Sequence, residues 1–180
     1  MATDNSGSGY AQGFDVFFRD QKSLKNGDFW LTYSYLDTER QFRNYTEAAV
    51  PHFATKHNFS AIYKQFLTPI STNVGVTFTH TSGRPVYTLG EDFKEVEQTK
   101  AFQNLSLSAS HVKFIGNSFL VFYATLDNVL GRDNMFGYRF SPDVKERYAV
   151  RPPINRTFFF GVNWTFGQLN GRSREADLNF

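Results

Sequence analysis

Acidic and histidine side chains are the residues of this chain whose types could do chemistry. Glu91, Asp92, Glu95 and Glu97 lie close together in one polar stretch, where carboxylates could act in acid–base catalysis or bind Ca²⁺. Such charge runs usually form a solvated surface, so we assign this one no such role. The four histidines, at positions 52, 57, 80 and 111, are scattered. No G-x-S-x-G motif, H-E-x-x-H motif or phosphate-binding glycine loop accompanies them, so the sequence predicts neither an enzyme nor a cofactor.

Composition excludes further kinds of site and partner. The chain contains no cysteine, which excludes disulfide bonds and thiolate metal sites, and we predict no metal site. Lys and Arg (19) nearly balance Asp and Glu (17), so the net charge of +2 gives no reason to expect a nucleic-acid partner. No stretch approaches the roughly 18–20 continuous apolar residues of a transmembrane helix. The first residues lack the basic and apolar regions of a secretory signal.

Alternation of apolar and polar residues is the dominant pattern of the chain. In residues 157–166 every second side chain is bulky and apolar, and those between them are mostly Thr, Gly and Asn. A period of two is typical of β-strands, whose successive side chains point to opposite faces. Six further stretches alternate in the same way: 10–20, 28–40, 58–67, 71–80, 102–114 and 118–130. We therefore predict an all-β protein of about seven long strands, without a long helix.

The connections between these strands alternate between short and long. Tight turns are indicated at Asn26-Gly27, Thr68-Pro69 and Gly116-Asn117, and long stretches follow Arg40, His80 and Leu130. The predicted strands have about 10 residues or more, whereas strands of soluble proteins cluster near roughly 5–6. Long strands with short turns on one rim and long loops on the other are typical of outer-membrane β-barrels.

Two kinds of β-protein fit this pattern, and they differ in what the apolar face contacts. In a soluble sandwich or lipocalin-like barrel the apolar face points inward, and the outer face usually carries Lys and Glu. Here the polar faces are rich in Ser, Thr, Asn and Gly, which favours a membrane barrel with a polar lumen. The residues that we predict to face lipid in such a barrel are Val74, Phe78, Leu105, Leu107, Leu120, Phe122, Phe158 and Phe160.

Part of the last strand resembles a known assembly signal. In GVNWTF, Gly161, Trp164 and Phe166 are spaced as in the C-terminal signal of outer-membrane barrels, although Phe159 stands where those proteins have a polar residue. The phrases GFDVFFRD, SYLDTER, FATKHNFS, SGRPVY, LDNVLGRDNMFGYRFS and RTFFFGVNWTF occur in the order seen at the C-terminal end of TonB-dependent outer-membrane receptors. The resemblance covers nearly everything from Gly9 to Phe166.

This resemblance implies a fold, a location and a function. Such receptors form plugged barrels of about 22 strands in the outer membrane of Gram-negative bacteria. We therefore expect residues 10–166 to form a seven-strand, antiparallel up-and-down transmembrane part of a barrel, with short periplasmic turns and long extracellular loops. A flexible lead at 1–9 and a tail at 167–180 would flank it. The receptors take up a scarce ligand with energy from the TonB complex, which acts through a plug that is missing here.

The resemblance also implies partners. The barrel-assembly machinery would read Gly161, Trp164 and Phe166, and outer-membrane lipid would surround the barrel. The ligand could be an iron chelate such as a siderophore, a corrinoid, an oligosaccharide or a peptide. Because the family binds ligand with outer loops and plug, the implied contacts are polar residues of the three long loops: Tyr45 and His52; Arg84, Tyr87, Glu91 and Asp92; Arg132, Tyr138, Arg139 and Arg147.

Two other functions stay open at the level of sequence. The chain could be a small self-contained outer-membrane barrel with a structural or adhesive role, which would need an eighth strand. NMFGYRF or RYAVR, both in the last long loop, could supply that strand. Alternatively, the chain could be a soluble β-barrel that binds a small apolar ligand inside.

Overall fold

Eleven β-strands form most of the regular structure in residues 7–41, 47–87, 95–116, 118–143 and 145–166, which are the residues that the computed structural model describes. In chain order they are β1 (Gly9–Asp20), β2 (Gly27–Arg40), β3 (His57–Leu67), β4 (Thr72–Thr81), β5 (Pro85–Tyr87), β6 (Glu95–Gln98), β7 (Phe102–Ile115), β8 (Ser118–Asp127), β9 (Gly137–Phe140), β10 (Arg147–Val150) and β11 (Thr157–Thr165). Seven of them form one antiparallel sheet in the order β1-β2-β3-β4-β7-β8-β11. The other four form two hairpins, β5 with β6 and β9 with β10.

The all-β prediction and the large antiparallel sheet are confirmed. Both ends of six of the long strands lie within one residue of the predicted ends. The exception is β8, which ends at Asp127 instead of Leu130 because the next residue, Asn128, has a φ of 51° and leaves the extended conformation. β1 begins at Gly9, the last residue of the predicted lead.

Short connections join alternate strands at one edge of the sheet, which we call the turn edge. Asn26 (φ 58°), Ser71 (φ 47°) and Gly116 (φ 57°) lie in the three short connections and provide left-handed backbone conformations. The first two connections contact each other, since the amide of Asn26 donates to the hydroxyl of Thr68 (3.0 Å). The three long connections lie at the opposite edge, the loop edge. The β5–β6 and β9–β10 hairpins belong to the second and third of them.

The seven-strand sheet is open. Its hydrogen-bonded order ends at β1 on one side and at β11 on the other. Both of these strands run from the loop edge to the turn edge, so they could not pair with each other in antiparallel fashion. Each edge instead needs a neighbour that runs in the opposite direction. The segments considered for an eighth strand form β9 and β10, which pair with each other rather than with the sheet.

Few apolar side chains are buried in the described part of the chain. Ala54, Val86 and Val112 are the buried hydrophobic residues, and Pro51 is the fully buried side chain of largest volume. Only Val112 belongs to the seven-strand sheet. The described residues therefore provide no apolar layer against either face of the sheet.

We expect the isolated 180-residue chain to associate or aggregate through β1 and β11. Each edge strand presents unpaired N–H and C=O groups, which promote strand pairing in water and cost several kcal/mol each in hydrocarbon. Light scattering after size-exclusion chromatography, with and without detergent, measures the association. A monodisperse monomer that unfolds cooperatively without detergent would contradict this expectation.

Candidate functional site: an apolar sheet face and a loop cavity

One face of the seven-strand sheet is apolar across all its strands; we call it the apolar face. The strand register places all eight predicted lipid-facing residues on it. For example, Phe78 lies opposite Leu105, and Leu107 opposite Leu126, which in turn lies opposite Phe158. The same face carries Phe14, Val16, Phe18, Leu31, Phe59, Val76, Val162 and Trp164. Phe158 is 68% exposed and Phe160 58% exposed, so this surface has no cover from the described residues.

The apolar face forms a band that has the same width in four of its seven strands and is wider in β2, β8 and β11. In four strands, three apolar residues at alternate positions lie between two polar residues that are eight positions apart. These polar pairs are Gln12 and Asp20 in β1, His57 and Gln65 in β3, Thr72 and His80 in β4, and Gln103 and His111 in β7. Eight positions at about 3.3–3.4 Å each span about 27 Å along the strand. This length suits a tilted strand that crosses an apolar layer about 25 Å thick.

The polar boundary of the band at the loop edge shifts along the register by four residues in total, all of it between β2 and β4. Gln12 lies opposite Asp37, the first polar residue on this face of β2 beyond Tyr35. His57 lies opposite Tyr35, which is two positions nearer the turn edge, and His80 lies opposite Phe59, which is two positions nearer again. Gln103 then lies opposite His80.

A tilt follows from this shift. Four residues over four strand-to-strand steps correspond to about 13 Å along the strands for about 19 Å across them. A band that is level in space therefore requires strands tilted by about 35°, at the lower end of the range for membrane barrels. The tilt also brings the 27 Å span to a height of about 22 Å, close to the apolar band of such barrels.

The opposite face of the sheet, the polar face, is lined mainly by small polar residues in its centre. Thr79 lies opposite both Ser60 and Asn104, and the two hydroxyls of Ser60 and Thr79 are 3.4 Å apart. Charges are also present on this face: Arg19 and Asp28 form an ion pair of 2.6 Å near the turn edge, and Asp15 lies opposite Ser34 farther from that edge. Bulky side chains are also present on this face, including Phe17, Trp30 and Phe159, which the alternation pattern did not emphasise.

Residues of the predicted assembly signal lie at the β11 edge. The ring of Tyr123 in β8 covers Gly161, and a Cβ added to Gly161 would lie 2.4 Å from the ring. Trp164 and Phe166 contact each other with ring centroids 4.2 Å apart. Trp164 and Trp30 lie towards the turn edge on opposite faces of the sheet. Recognition by assembly machinery and membrane depth stay predictions.

At the loop edge, all three long connections meet around one cavity of about 480 Å³, the loop cavity. Five of the ten residues proposed as ligand contacts line it, and they come from different connections: His52 from the first, Arg84 and Tyr87 from the second, and Tyr138 and Arg139 from the third. Chain topology explains this convergence, because every second connection of an up-and-down sheet returns at the same edge.

Hydrogen bonds hold the loop cavity together. The hydroxyl of Tyr87 donates to the carbonyl of Val50 (2.7 Å), which joins the second connection to the first. Nη1 of Arg84 donates to the carbonyl of Phe136 (2.8 Å), which joins the second connection to the third. Phe136 also stacks on Phe102 at the start of β7, with centroids 5.9 Å apart.

The other proposed contact residues do not line the loop cavity. The guanidinium of Arg147 lies 4.5 Å from the ring centre of Tyr138 and forms an ion pair with Glu97, so it links β10 to β6 and supports the cavity wall. Arg132 is exposed in the third connection and does not line it. Tyr45, Glu91 and Asp92 lie outside the described residues.

An asparagine cluster that the sequence reading missed anchors the third connection. The buried amide of Asn128 donates to the carbonyls of Arg132 (2.9 Å) and Asn155 (2.7 Å) and accepts from the backbone of Arg132 (3.1 Å). The backbone N–H of Asn128 donates to the side chain of Asn104 in β7 (2.8 Å). Asn134 pairs in both directions with the backbone of Gln103. The only feature of the sequence that could have indicated this anchor is an asparagine close to Gly131 in LDNVLGRDN.

Two shifted pKa values belong to the tip of the β9–β10 hairpin. The hydroxyl of Ser141 donates to Asp143 (2.5 Å), and this bond lowers the pKa of the Asp143 carboxyl. A hydrogen bond to Glu146 raises the pKa of the Tyr148 hydroxyl. Neither side chain lines the loop cavity, so these shifts do not mark a ligand site there.

Searches for other kinds of site and for known relatives gave no match. Among the described residues, no group of three or more His, Asp or Glu side chains is arranged to bind a metal ion. No helix in the same part of the chain is long and apolar enough to span a membrane. Comparison with models of known protein families, with curated proteins and with solved structures found nothing that matches this chain.

We expect Asn128→Ala to loosen the third connection, because it removes the hydrogen bonds to Arg132 and Asn155 and leaves buried backbone groups unpaired. The loss should be about 1–3 kcal/mol locally. Hydrogen-exchange mass spectrometry of the chain in detergent should show faster exchange in residues 128–134 and 154–156. The control is Asn163→Ala, since the Asn163 side chain accepts one long hydrogen bond, from Thr165 (3.3 Å). Equal protection of residues 128–134 in the two variants would contradict the anchor.

Proposed function

We propose that this chain forms part of the wall of a TonB-dependent-receptor-type barrel in the Gram-negative outer membrane and takes part in the uptake of a scarce ligand. The observation that carries the proposal is the apolar band. It is uncovered, has the same width in four strands and shifts along the register as tilted strands in a flat layer require. Lipid chains are the environment that such a band fits best.

The open edges favour a barrel larger than seven strands. β1 and β11 are parallel to each other, so further strands that run towards the loop edge must complete the wall. The polar face would then line the lumen, where a plug that couples the barrel to the TonB complex would lie. The loop edge would face outwards, and the turn edge would face the periplasm.

The loop cavity supports a role in ligand uptake. It is built from all three long connections, combines aromatic and charged side chains and is of the size that binds small molecules. In the proposed orientation it faces the outside of the cell. Ligand would therefore reach it before the lumen, and we assign it the first contact with the transported molecule.

The two other functions lack a supporting observation of this kind. A self-contained barrel needs an eighth strand in the sheet, and β9 and β10 form a separate hairpin. A soluble barrel needs its apolar face enclosed, and among the described residues nothing covers that face.

Arginine substitutions on neighbouring residues of β7 test the membrane location. In the full-length protein refolded into phospholipid vesicles, Leu107→Arg should lower the free energy of unfolding by about 2–4 kcal/mol, because it places a charge in the centre of the apolar band. Ser108→Arg should cost much less, because Ser108 belongs to the polar face. Denaturant titration measures both values, and equal costs would refute the membrane reading.

A labelling experiment provides a control that does not depend on stability. The chain contains no native cysteine, so Leu107→Cys and Ser108→Cys can each carry one fluorophore. A quencher attached to the lipid chains should quench the label at position 107 strongly and the label at position 108 weakly. Stronger quenching at position 108 would mean that the polar face, not the apolar face, contacts lipid.

Substitutions at the end of β11 test the role in assembly. In the full-length protein, replacing Trp164 and Phe166 with Ser should reduce the amount assembled in the outer membrane, because the signal read before folding is lost. Replacing Asn163 and Thr165 with Ala should reduce it far less. Heat-dependent gel migration of outer-membrane fractions measures assembled protein. If the two double variants assemble equally, Trp164 and Phe166 are not part of an assembly signal.

A further inference from the structure

The loop cavity contains cationic side chains without a carboxylate among its lining residues. Arg84 and Arg139 both line it, and none of its described lining residues is Asp or Glu. A neighbouring cavity of about 200 Å³ shares Arg84 and adds Lys100, again with no acidic residue among those that line it. The charged side chains that line these two cavities are therefore all cationic among the described residues, and they can attract an anion.

Three acidic residues elsewhere in the connections have cationic partners. Glu97 pairs with Arg147, Asp133 pairs with Arg151 (3.2 Å), and Asp143 pairs with Lys145 (4.0 Å). By contrast, no ion pair of Arg84 or Arg139 occurs in the described structure.

The two unpaired guanidinium groups differ in their neutral contacts. Arg84 uses Nη1 for the carbonyl of Phe136, which fixes its side chain across the cavity wall and leaves its other N–H groups for a ligand. The side chain of Arg139 has no hydrogen-bond partner among the described residues and is exposed. One cation is thus held in place and the other is free to move onto a ligand.

The remaining walls of the loop cavity are mainly apolar and aromatic, with His52 and Thr99 as polar members. Pro85 and Val86 are buried, and the aromatic residues Phe136, Tyr138 and Phe140 are also among those that line it. An ion pair is stronger beside such low-dielectric walls than in open water. Aromatic walls also favour flat rings, with which they stack or make edge contacts. The cationic side chains and the aromatic walls of the loop cavity therefore both favour an anion that carries a flat ring.

We propose that the loop cavity binds an organic anion with a flat aromatic body, specifically an aromatic carboxylate. The carboxylate pairs with the guanidinium groups of Arg84 and Arg139, and the ring packs among Phe136, Tyr138 and Phe140. The claim that this ligand is transported rests on the proposed function, because it names the chemical class of the molecule taken up. The claim that the loop cavity binds such a ligand concerns the loop edge alone.

Equilibrium dialysis of the full-length protein in detergent micelles, with protein-free micelles as the blank, tests the proposal. The probe is 2-naphthoate, and the neutral comparison is 2-naphthalenemethanol, which has the same ring system. We expect saturable binding of naphthoate and at least tenfold weaker binding of the alcohol, because hydrogen bonds to charged groups are the stronger ones. No saturable naphthoate binding, or equal binding of both compounds, would overturn the proposal.

Matched arginine variants locate the binding. Arg139→Gln should weaken naphthoate binding about tenfold or more, and Arg139→Lys should retain most of it because the charge is kept. Arg139 is the sharper test than Arg84, since its side chain holds no described part of the fold together. Arg132→Gln, which makes the same charge change in the same connection outside the cavity, should change the affinity less than twofold. Equal effects of Arg139→Gln and Arg132→Gln would place the binding elsewhere and overturn the proposal.

These experiments can refute either proposal without refuting the other. Binding in micelles does not depend on the barrel being in an outer membrane, and lipid quenching at position 107 does not depend on the loops. If naphthoate selectivity is absent while position 107 contacts lipid, the ligand class is wrong and the proposed function stands. If Arg139 controls naphthoate binding while position 107 does not contact lipid, the proposed ligand site is supported and the membrane function is wrong.

Discussion

The need to cover the apolar face is the constraint on which the rest of this structure depends. In water, each Å² of exposed apolar surface costs about 25 cal/mol relative to burial, and here rings and aliphatic side chains line one entire face of a seven-strand sheet. A soluble protein meets this cost with a second layer of its own. The described residues contain no such layer, and the buried hydrophobic residues Ala54 and Val86 lie in the connections. The apolar face therefore needs a cover that the described residues do not provide.

The backbone hydrogen-bond ladder ties this face to the register of every strand. A slip of one residue in any pair would move a whole row of apolar side chains to the polar face. Polar residues at fixed spacing, such as Thr72 and His80 in β4, mark where each strand leaves the apolar band. Their hydrogen bonds fit this role: the Thr72 hydroxyl lies 2.9 Å from Nδ1 of His111, and the Gln103 amide lies 3.1 Å from Nδ1 of His80. The strand register therefore determines both where the apolar band lies on the strands and the tilt that a level band requires.

Sequence reasoning predicted the sheet well because period two is a strong local signal. Alternation gave the long strands and the common face of Leu107 and Phe158, which are 51 positions apart. It could not give what depends on tertiary contacts. The early end of β8 follows from the conformation of Asn128, which distant groups such as Asn104 and Asn155 stabilise. The pairing of β9 with β10, rather than with the sheet, likewise depends on contacts that periodicity does not encode. Arg84 and Arg139 were identified as loop residues, but only the fold brings them to one cavity.

Gly161 shows how one residue can satisfy two requirements at once. The resemblance to an assembly signal gives it a role before folding, whereas the structure gives it a role afterwards, because the Tyr123 ring lies where a side chain would be. A ring laid over a strand glycine shields backbone that would otherwise be exposed, and in β-sheets this compensates for the missing side chain. The same close approach positions Tyr123 beside Phe159, with ring centroids 5.6 Å apart, on the polar face. Packing alone therefore favours a glycine at this position, so its presence does not by itself indicate an assembly signal. The rings of Trp164 and Phe166 contact each other and no other described ring, so the prediction of such a signal depends on these two residues.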